Sequence, residues 1–131
     1  MSSWLDLTFM CLTYRISLVF CFSFFLLNSY SQDSTSNSKK ELRDDIIEQT
    51  KEGGKLDFFT PIKGHEYDGV EIKPKVYTTK RGVALMKWGS LTREMGVETL
   101  EDAYSIFAEF KKREINSLEK EYIKLGFNKE L

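Results

Sequence analysis

One short segment of the sequence, His65-Glu66-Tyr67-Asp68, gathers side chains that could do chemistry. An imidazole beside two carboxylates can bind a cation or act as a general base. A structural zinc site needs about four ligands, but His65 is the only histidine, and the two cysteines, Cys11 and Cys21, lie close to the N-terminus. The spacing of a calcium-binding loop is also missing. We interpret the segment as a polar turn and predict no metal site.

Other catalytic signatures are missing from the sequence as well. No serine lies in a G-x-S-x-G elbow, and Gly82, Gly89 and Gly96 do not form a phosphate-binding pattern. We therefore predict no catalytic residue and no cofactor, and we expect the protein not to be an enzyme. A small extracytoplasmic enzyme with an unrecognised site is kept as an alternative.

An apolar run near the N-terminus indicates export. Residues 16–27, ISLVFCFSFFLL, follow Arg15 and give way to a polar stretch. As a helix this run is about 18 Å long, too short for a hydrocarbon core of roughly 30 Å. A positive charge, a short apolar core and small residues before the cleavage point are typical of a secretory signal. We predict a signal peptide over residues 1–31, with an uncleaved signal anchor as the alternative.

The predicted cleavage point lies between Ser31 and Gln32, because Ser29 and Ser31 satisfy the small-residue rule. Met10 is an alternative start to Met1. We expect a secreted or periplasmic protein, or, in the alternative, one anchored in the membrane by this segment alone.

The chain beyond the predicted signal has about 100 residues, enough for one small domain. Residues 32–38, QDSTSNS, are polar throughout and are interpreted as a flexible tether, and residues 39–131 as a single domain. Both cysteines fall within the signal, so the fold must be stable without disulfides.

The charges nearly cancel, with 19 basic against 20 acidic residues, so we expect no nucleic-acid partner. Basic residues nevertheless concentrate in one segment, where four of them form a candidate site for an anionic surface: Lys73, Lys75, Lys80 and Arg81. Lysines on an edge strand also prevent aggregation, which is the more common reason for such a pattern.

The central part of the chain predicts a β-hairpin between two helices. Alternating residues favour a strand over residues 70–79, a turn at residues 80–82 and a second strand over residues 83–88. Pro74 either places the first strand at a sheet edge or divides it. A short helix is expected to begin after a cap at Asn37 or Ser38 and to end at Gly53-Gly54.

The C-terminal part predicts a long amphipathic helix. Thr99 with Asp102 resembles a capping box, and Gly126 is interpreted as the C′ residue. The helix either continues unbroken from Leu100 to Leu125 or breaks near residues 111–113. Its second half carries an apolar stripe that is either core or a surface for a protein partner or self-association: Ile115, Leu118, Tyr122 and Leu125.

The sequence thus predicts an α+β fold with a short helix, a basic hairpin and a long C-terminal helix. The expected function is that of a small exported, non-enzymatic binding or accessory protein of the cell envelope. A second alternative is a secreted peptide precursor processed at the basic clusters at residues 39–40, 80–81 and 111–113.

Overall fold

The computed structural model describes residues 34–130, which form four α-helices and one two-stranded antiparallel hairpin. Residues 34–50 form helix α1. The other main elements are β1 (Gly69–Lys73), β2 (Val76–Thr79), α2 (Lys80–Glu94), α3 (Leu100–Lys111) and α4 (Ser117–Phe127), and a short 3-10 helix, Thr60–Ile62, lies in the loop before β1. This mixed content agrees with the predicted α+β class.

The predicted signal over residues 1–31, with its Ser31–Gln32 cleavage point, lies outside the described residues. None of the helices in the described part of the chain has the length and apolar character needed to cross a membrane. The contacts discussed below all lie within one compact unit, Lys40–Leu131.

Helix α1 differs from its prediction at the N-terminal end. Residues 34–38, which belong to the predicted tether, are helical, so the cap predicted at Asn37 or Ser38 is wrong. The segment contains neither proline nor glycine, and its polar residues lower helix propensity by only tenths of a kcal/mol each, about 0.7 at most. The helix ends before Gly53, as predicted, and Gly53 adopts a φ of 83°.

The hairpin turns earlier than predicted. Val70 faces Thr78 and Glu71 faces Tyr77 in the ladder. The turn lies at Pro74-Lys75, where Lys75 has a φ of 64° and its backbone N–H donates to the Glu71 carboxylate at 2.8 Å. The alternative in which Pro74 divides the first predicted strand is confirmed. The turn predicted at residues 80–82 and the strand predicted over residues 83–88 are wrong.

Residues 80–94 form helix α2 instead. The Thr79 side chain accepts a hydrogen bond from the Gly82 backbone N–H at 3.1 Å and caps the helix. The helix is buried on most of its circumference, and such a helix shows no clear 3.6-residue pattern in its sequence. Its buried residues are Gly82, Ala84, Leu85, Met86, Trp88, Gly89 and Thr92.

The predicted long C-terminal helix is two helices, so the alternative with a break at residues 111–113 is confirmed. Helix α3 begins at the predicted Thr99 cap and ends at Lys112, which has a left-handed φ of 53°. Helix α4 begins with a capping box between Asn116 and Glu119. Gly126 lies buried inside α4 and not at its C′ position, so that prediction is wrong.

The core is centred on two aromatic side chains. The rings of Trp88 and Phe107 meet edge to face with centroids 4.9 Å apart, and the Trp88 indole N–H donates to the Thr50 hydroxyl at 3.0 Å. Phe58 and Phe59 pack against this core from the loop, as predicted. The buried hydrophobic cluster comprises Ile46, Leu56, Leu85, Trp88, Val97, Ala103, Ile106, Phe107, Ile115, Ile123 and Phe127.

Candidate functional site

The contact between α2 and α4 positions the candidate sites, and it is the most extensive contact among β1, β2, α2, α3 and α4. Two glycines allow the helices to approach closely. A Cβ atom built on Gly126 would lie 1.8 Å from the Met86 carbonyl oxygen, and one built on Gly89 would lie 2.4 Å from the Ile123 carbonyl oxygen. The hairpin packs beside this helix pair and leaves cavities along its edges.

The largest of the cavities that we describe has a volume of about 590 Å³ and lies between β1, α2 and the C-terminal end of α4. We call it the lysine-rimmed groove. It is lined by Ile72, Lys73, Val83, Met86, Lys87, Ser90, Leu125, Gly126 and Lys129. Carbon atoms of Ile72, Val83, Met86 and Leu125 supply its apolar walls.

Three lysines give this groove a positive rim, and its lining includes no acidic residue. Lys129 pairs with Glu94 at 3.0 Å. Lys73 and Lys87 are exposed, and neither has an ion-pair partner within the described residues. Two uncompensated positive charges therefore face an apolar cavity, which suits a ligand with an anionic end and an apolar body.

A smaller cavity of about 220 Å³ adjoins the groove, since Val83 and Lys87 line both. Its further lining residues are Phe58, Pro61, Ile62, Val70, Lys80 and Ala84. Val70 and Ile72 are the half-buried residues of β1, so both cavities border the same face of the hairpin.

The four predicted anion-binding residues do not form a single patch. Lys73 lines the groove, and Lys75 lies exposed in the hairpin turn. Lys80 lines the smaller cavity and pairs with Asp68 at 2.9 Å. Arg81 pairs with Glu119 on α4. Of these four predicted residues, Lys73 and Lys75 are the two that have no ion-pair partner among the described residues.

The predicted partner-binding stripe is likewise divided. Ile115 belongs to the core, and Leu118 is 56% exposed. The Tyr122 hydroxyl accepts a hydrogen bond from Thr78 at 2.9 Å, which ties α4 to β2. Leu125 lines the lysine-rimmed groove. Of the stripe, Leu118 alone presents a largely exposed apolar side chain.

A second charged site lies at the N-terminal end of α4, where Arg81, Arg113 and Glu119 form what we call the arginine cluster. The Glu119 side chain is only 3% exposed. It accepts hydrogen bonds from Arg81 at 2.5 Å and from two nitrogens of Arg113 at 2.7 and 3.0 Å. The backbone N–H of Asn116 donates to it at 3.0 Å.

These bonds decide the ionisation of Glu119. Burial by itself raises the pKa of this carboxyl group. The hydrogen bonds from Arg113, the Asn116 backbone and Arg81 outweigh burial and lower the pKa from 4.5 to about 2. Glu119 is therefore charged at neutral pH and holds both arginines in place.

The polar turn around His65 is exposed. The His65 side chain is 69% accessible and lies 3.1 Å from the Asp68 carboxylate. The hydrogen bond from Lys80 is the main cause of the lowered pKa of Asp68, and His65 lowers it further. Among the described residues, no group of three histidine, cysteine or acidic side chains is arranged to hold a metal ion.

Sequence reasoning missed most of the groove and the arginine cluster. Val83, Met86 and Lys87 were assigned to a strand, which hid their common face on α2. The Asn116-x-x-Glu119 pattern is the one signal that could have located the start of α4 and the buried carboxylate. No family model, curated protein or solved structure matches this chain, so the functional interpretation rests on the geometry.

Proposed function

We propose that this chain is a small exported, non-enzymatic binding protein of the cell envelope, and that its lysine-rimmed groove holds a single-chain anionic amphiphile. The observation that carries the proposal is the pairing of an apolar cavity of about 590 Å³ with a rim of three lysines and no acidic lining residue. Cavities of about 300–1,000 Å³ are the usual size for small-ligand sites.

The rim favours a negatively charged head group. Lys73 belongs to β1 and Lys87 to α2, so two different elements contribute lysines to the groove lining. A lysine ammonium is a compact charge on a flexible stem and can donate hydrogen bonds to a carboxylate, a sulfate or a phosphate. The rim therefore selects for charge more than for head-group geometry.

The dimensions of the groove favour a small ligand over a docked protein. Its lining consists of nine residues, whereas a stable protein interface uses about 20–30 residues on each side. The floor is recessed, since Met86 is 3% exposed. An alkyl chain fits such a slot and is stabilised by about 0.8 kcal/mol for each fully buried methylene.

The adjoining cavity extends the space available to the chain of such a ligand. Val83 and Lys87 border both cavities, so an alkyl chain lying over Val83 passes from one to the other. The walls of the smaller cavity are largely apolar, with Phe58, Ile62 and Val70 among them.

The experiment is a titration of the protein with laurate below its micellar concentration, followed by calorimetry and by backbone amide shifts in NMR spectra. We expect saturable 1:1 binding, with shifts at Ile72, Lys87 and Ser90. The double variant Lys73→Gln/Lys87→Gln should bind about tenfold more weakly, because two charge-assisted contacts are lost.

The matched control is Lys75→Gln/Lys124→Gln, which removes the same charge from exposed positions outside the groove lining. It should bind laurate like the parent protein. Equal weakening in both double variants, or shifts that avoid the groove residues, would contradict the proposal. Dodecanol, which lacks the charge, should bind equally weakly to the parent and to the groove variant.

Export is tested separately by recovering the protein from its host and sequencing its N-terminus. The apolar run at residues 16–27 followed by Ser29 and Ser31 leads us to expect an envelope or secreted fraction that begins at Gln32. A cytosolic protein that retains Trp4 would contradict export while leaving the ligand titration unaffected.

A further inference from the structure

We infer that a third cavity, at the arginine cluster, is a binding site for a carboxylate carried on an apolar group. This cavity of about 380 Å³ lies at the N-terminal end of α4, whereas the lysine-rimmed groove lies at its C-terminal end. It is lined by Tyr67, Thr79, Arg81, Gly82, Leu85, Arg113, Asn116, Leu118, Glu119 and Tyr122.

The two arginines retain hydrogen-bond donors that Glu119 cannot satisfy. Each oxygen of the Glu119 carboxylate already accepts two hydrogen bonds, which is its full capacity. Arg81 uses a single Nη2 donor on Glu119. The rest of the Arg81 guanidinium group has no hydrogen-bond acceptor among the described residues, and Arg81 is one of the residues that line the cavity.

Positive charge is in excess in the cavity wall. Arg81 and Arg113 line it, and Glu119 is the one acidic residue in its lining. The lining therefore carries one more positive than negative charge, which a bound anion would balance.

The form of the cavity favours a carboxylate on an apolar body over a bare inorganic anion. A guanidinium group presents a planar fork of donors that matches the two oxygens of a carboxylate. Leu85, which is 1% exposed, forms part of the cavity wall, while Tyr67 and Leu118 are 78% and 56% exposed and line it as well. An exposed tyrosine and leucine beside fixed arginines provide the contact for an aromatic or aliphatic group.

Two sources can supply this chemistry: a free carboxylic acid or the C-terminal carboxylate of a peptide. The test is an NMR titration of the protein with 3-phenylpropionate, with its uncharged amide, and with the peptide N-acetyl-Gly-Phe bearing a free C-terminus. We expect amide shifts at Tyr67, Arg113 and Leu118 with both acids, and binding of the uncharged amide at least about tenfold weaker. Tighter binding of the peptide than of 3-phenylpropionate identifies a peptide terminus as the ligand, and the reverse identifies a free acid.

Variants separate this site from the groove. Arg113→Gln should weaken 3-phenylpropionate binding at least about tenfold. Lys87→Gln should leave it unchanged and affect laurate only. Because Arg113 also contacts Glu119, the exposed variant Tyr67→Ser provides a second test without touching the cluster, and it should weaken binding severalfold. Equal binding of the acid and its amide, or no shift at the three reporter residues at millimolar ligand, overturns the inference and leaves the groove proposal standing.

Discussion

Replacement of Glu119 by glutamine is expected to lower the free energy of unfolding by about 3 kcal/mol at neutral pH. Glutamine keeps the size of the side chain but removes the charge that two arginines share. The difference between a pKa of 4.5 for the free side chain and about 2 in the fold corresponds to a stabilisation of this size. Breaking a buried ion pair by removing one partner costs a similar amount, about 3–5 kcal/mol.

The pH dependence follows with a definite sign. Between about pH 5 and pH 2 the unfolded chain binds a proton at Glu119 that the folded chain does not bind, so stability falls as the pH falls. The stabilisation is fully present above the unfolded pKa and is lost on approaching the folded pKa. The Glu119→Gln variant lacks this contribution, and its stability should converge with that of the parent protein in acid.

Urea denaturation of both proteins at pH 7, 4 and 2.5 measures this difference, and subtracting the two profiles removes the contribution of the other carboxyl groups. The control is Glu121→Gln, the same substitution two residues further along α4 at an exposed position. Its effect should stay within about 0.5 kcal/mol, as is usual for surface changes. A Glu119→Gln variant as stable as the Glu121→Gln variant at pH 7 would mean that the arginine cluster does not hold α4 in place.

The sequence predicted those parts of the fold that depend on residues close together in the chain. Thr99 with Asp102 predicted the start of α3, because a cap satisfies backbone donors within a single turn. The Phe58-Phe59 pair was correctly placed against the core. The break between α3 and α4 was predicted only as an alternative. Glycine usually marks the left-handed residue at the end of a helix, but here that residue is Lys112.

Helix α2 was missed for a different reason. A helix that is buried on one side shows a 3.6-residue period of apolar residues in its sequence. In contrast, α2 is covered by α4, the core and the hairpin. Its apolar residues therefore fall on nearly every face, and a short apolar run such as residues 83–88 does not distinguish a helix from a strand. That error hid the groove, because Val83 and Met86 would lie on opposite faces of a strand, whereas a helix over residues 80–94 places both in the groove lining.

The Asn116-x-x-Glu119 pattern could indicate the carboxylate of the arginine cluster, but no local pattern predicts its contact with Arg81. Arg81 and Glu119 are separated by 38 positions in sequence and meet only because α2 and α4 pack together. The basic segment was correctly identified as unusual. However, Lys80 and Arg81 form ion pairs with Asp68 and Glu119, which lie outside the basic segment and could not be identified from it.

Replacement of Gly126 by alanine is the prediction with the most severe expected outcome. Helix propensity alone favours alanine over glycine by about 1 kcal/mol in a helix interior, so an isolated α4 would gain. In the protein, the new Cβ would lie 1.8 Å from the carbonyl oxygen of Met86 and 2.5 Å from its carbon. The helices must then separate along their most extensive contact. We expect a loss of about 3 kcal/mol or more, since ordinary overpacking already costs about 1–3.

Chemical denaturation monitored by circular dichroism measures this effect. The control is Gly69→Ala, where nothing lies within 4 Å of the new Cβ, and a change within about 1 kcal/mol is expected. Truncating the neighbour, as in Met86→Ala/Gly126→Ala, should give no rescue, because the obstacle is the Met86 backbone and not its side chain. A Gly126→Ala variant as stable as the parent, or more stable, would show that propensity outweighs packing here. The close α2–α4 approach, which shapes the lysine-rimmed groove and the cavity at the arginine cluster, would then be wrong.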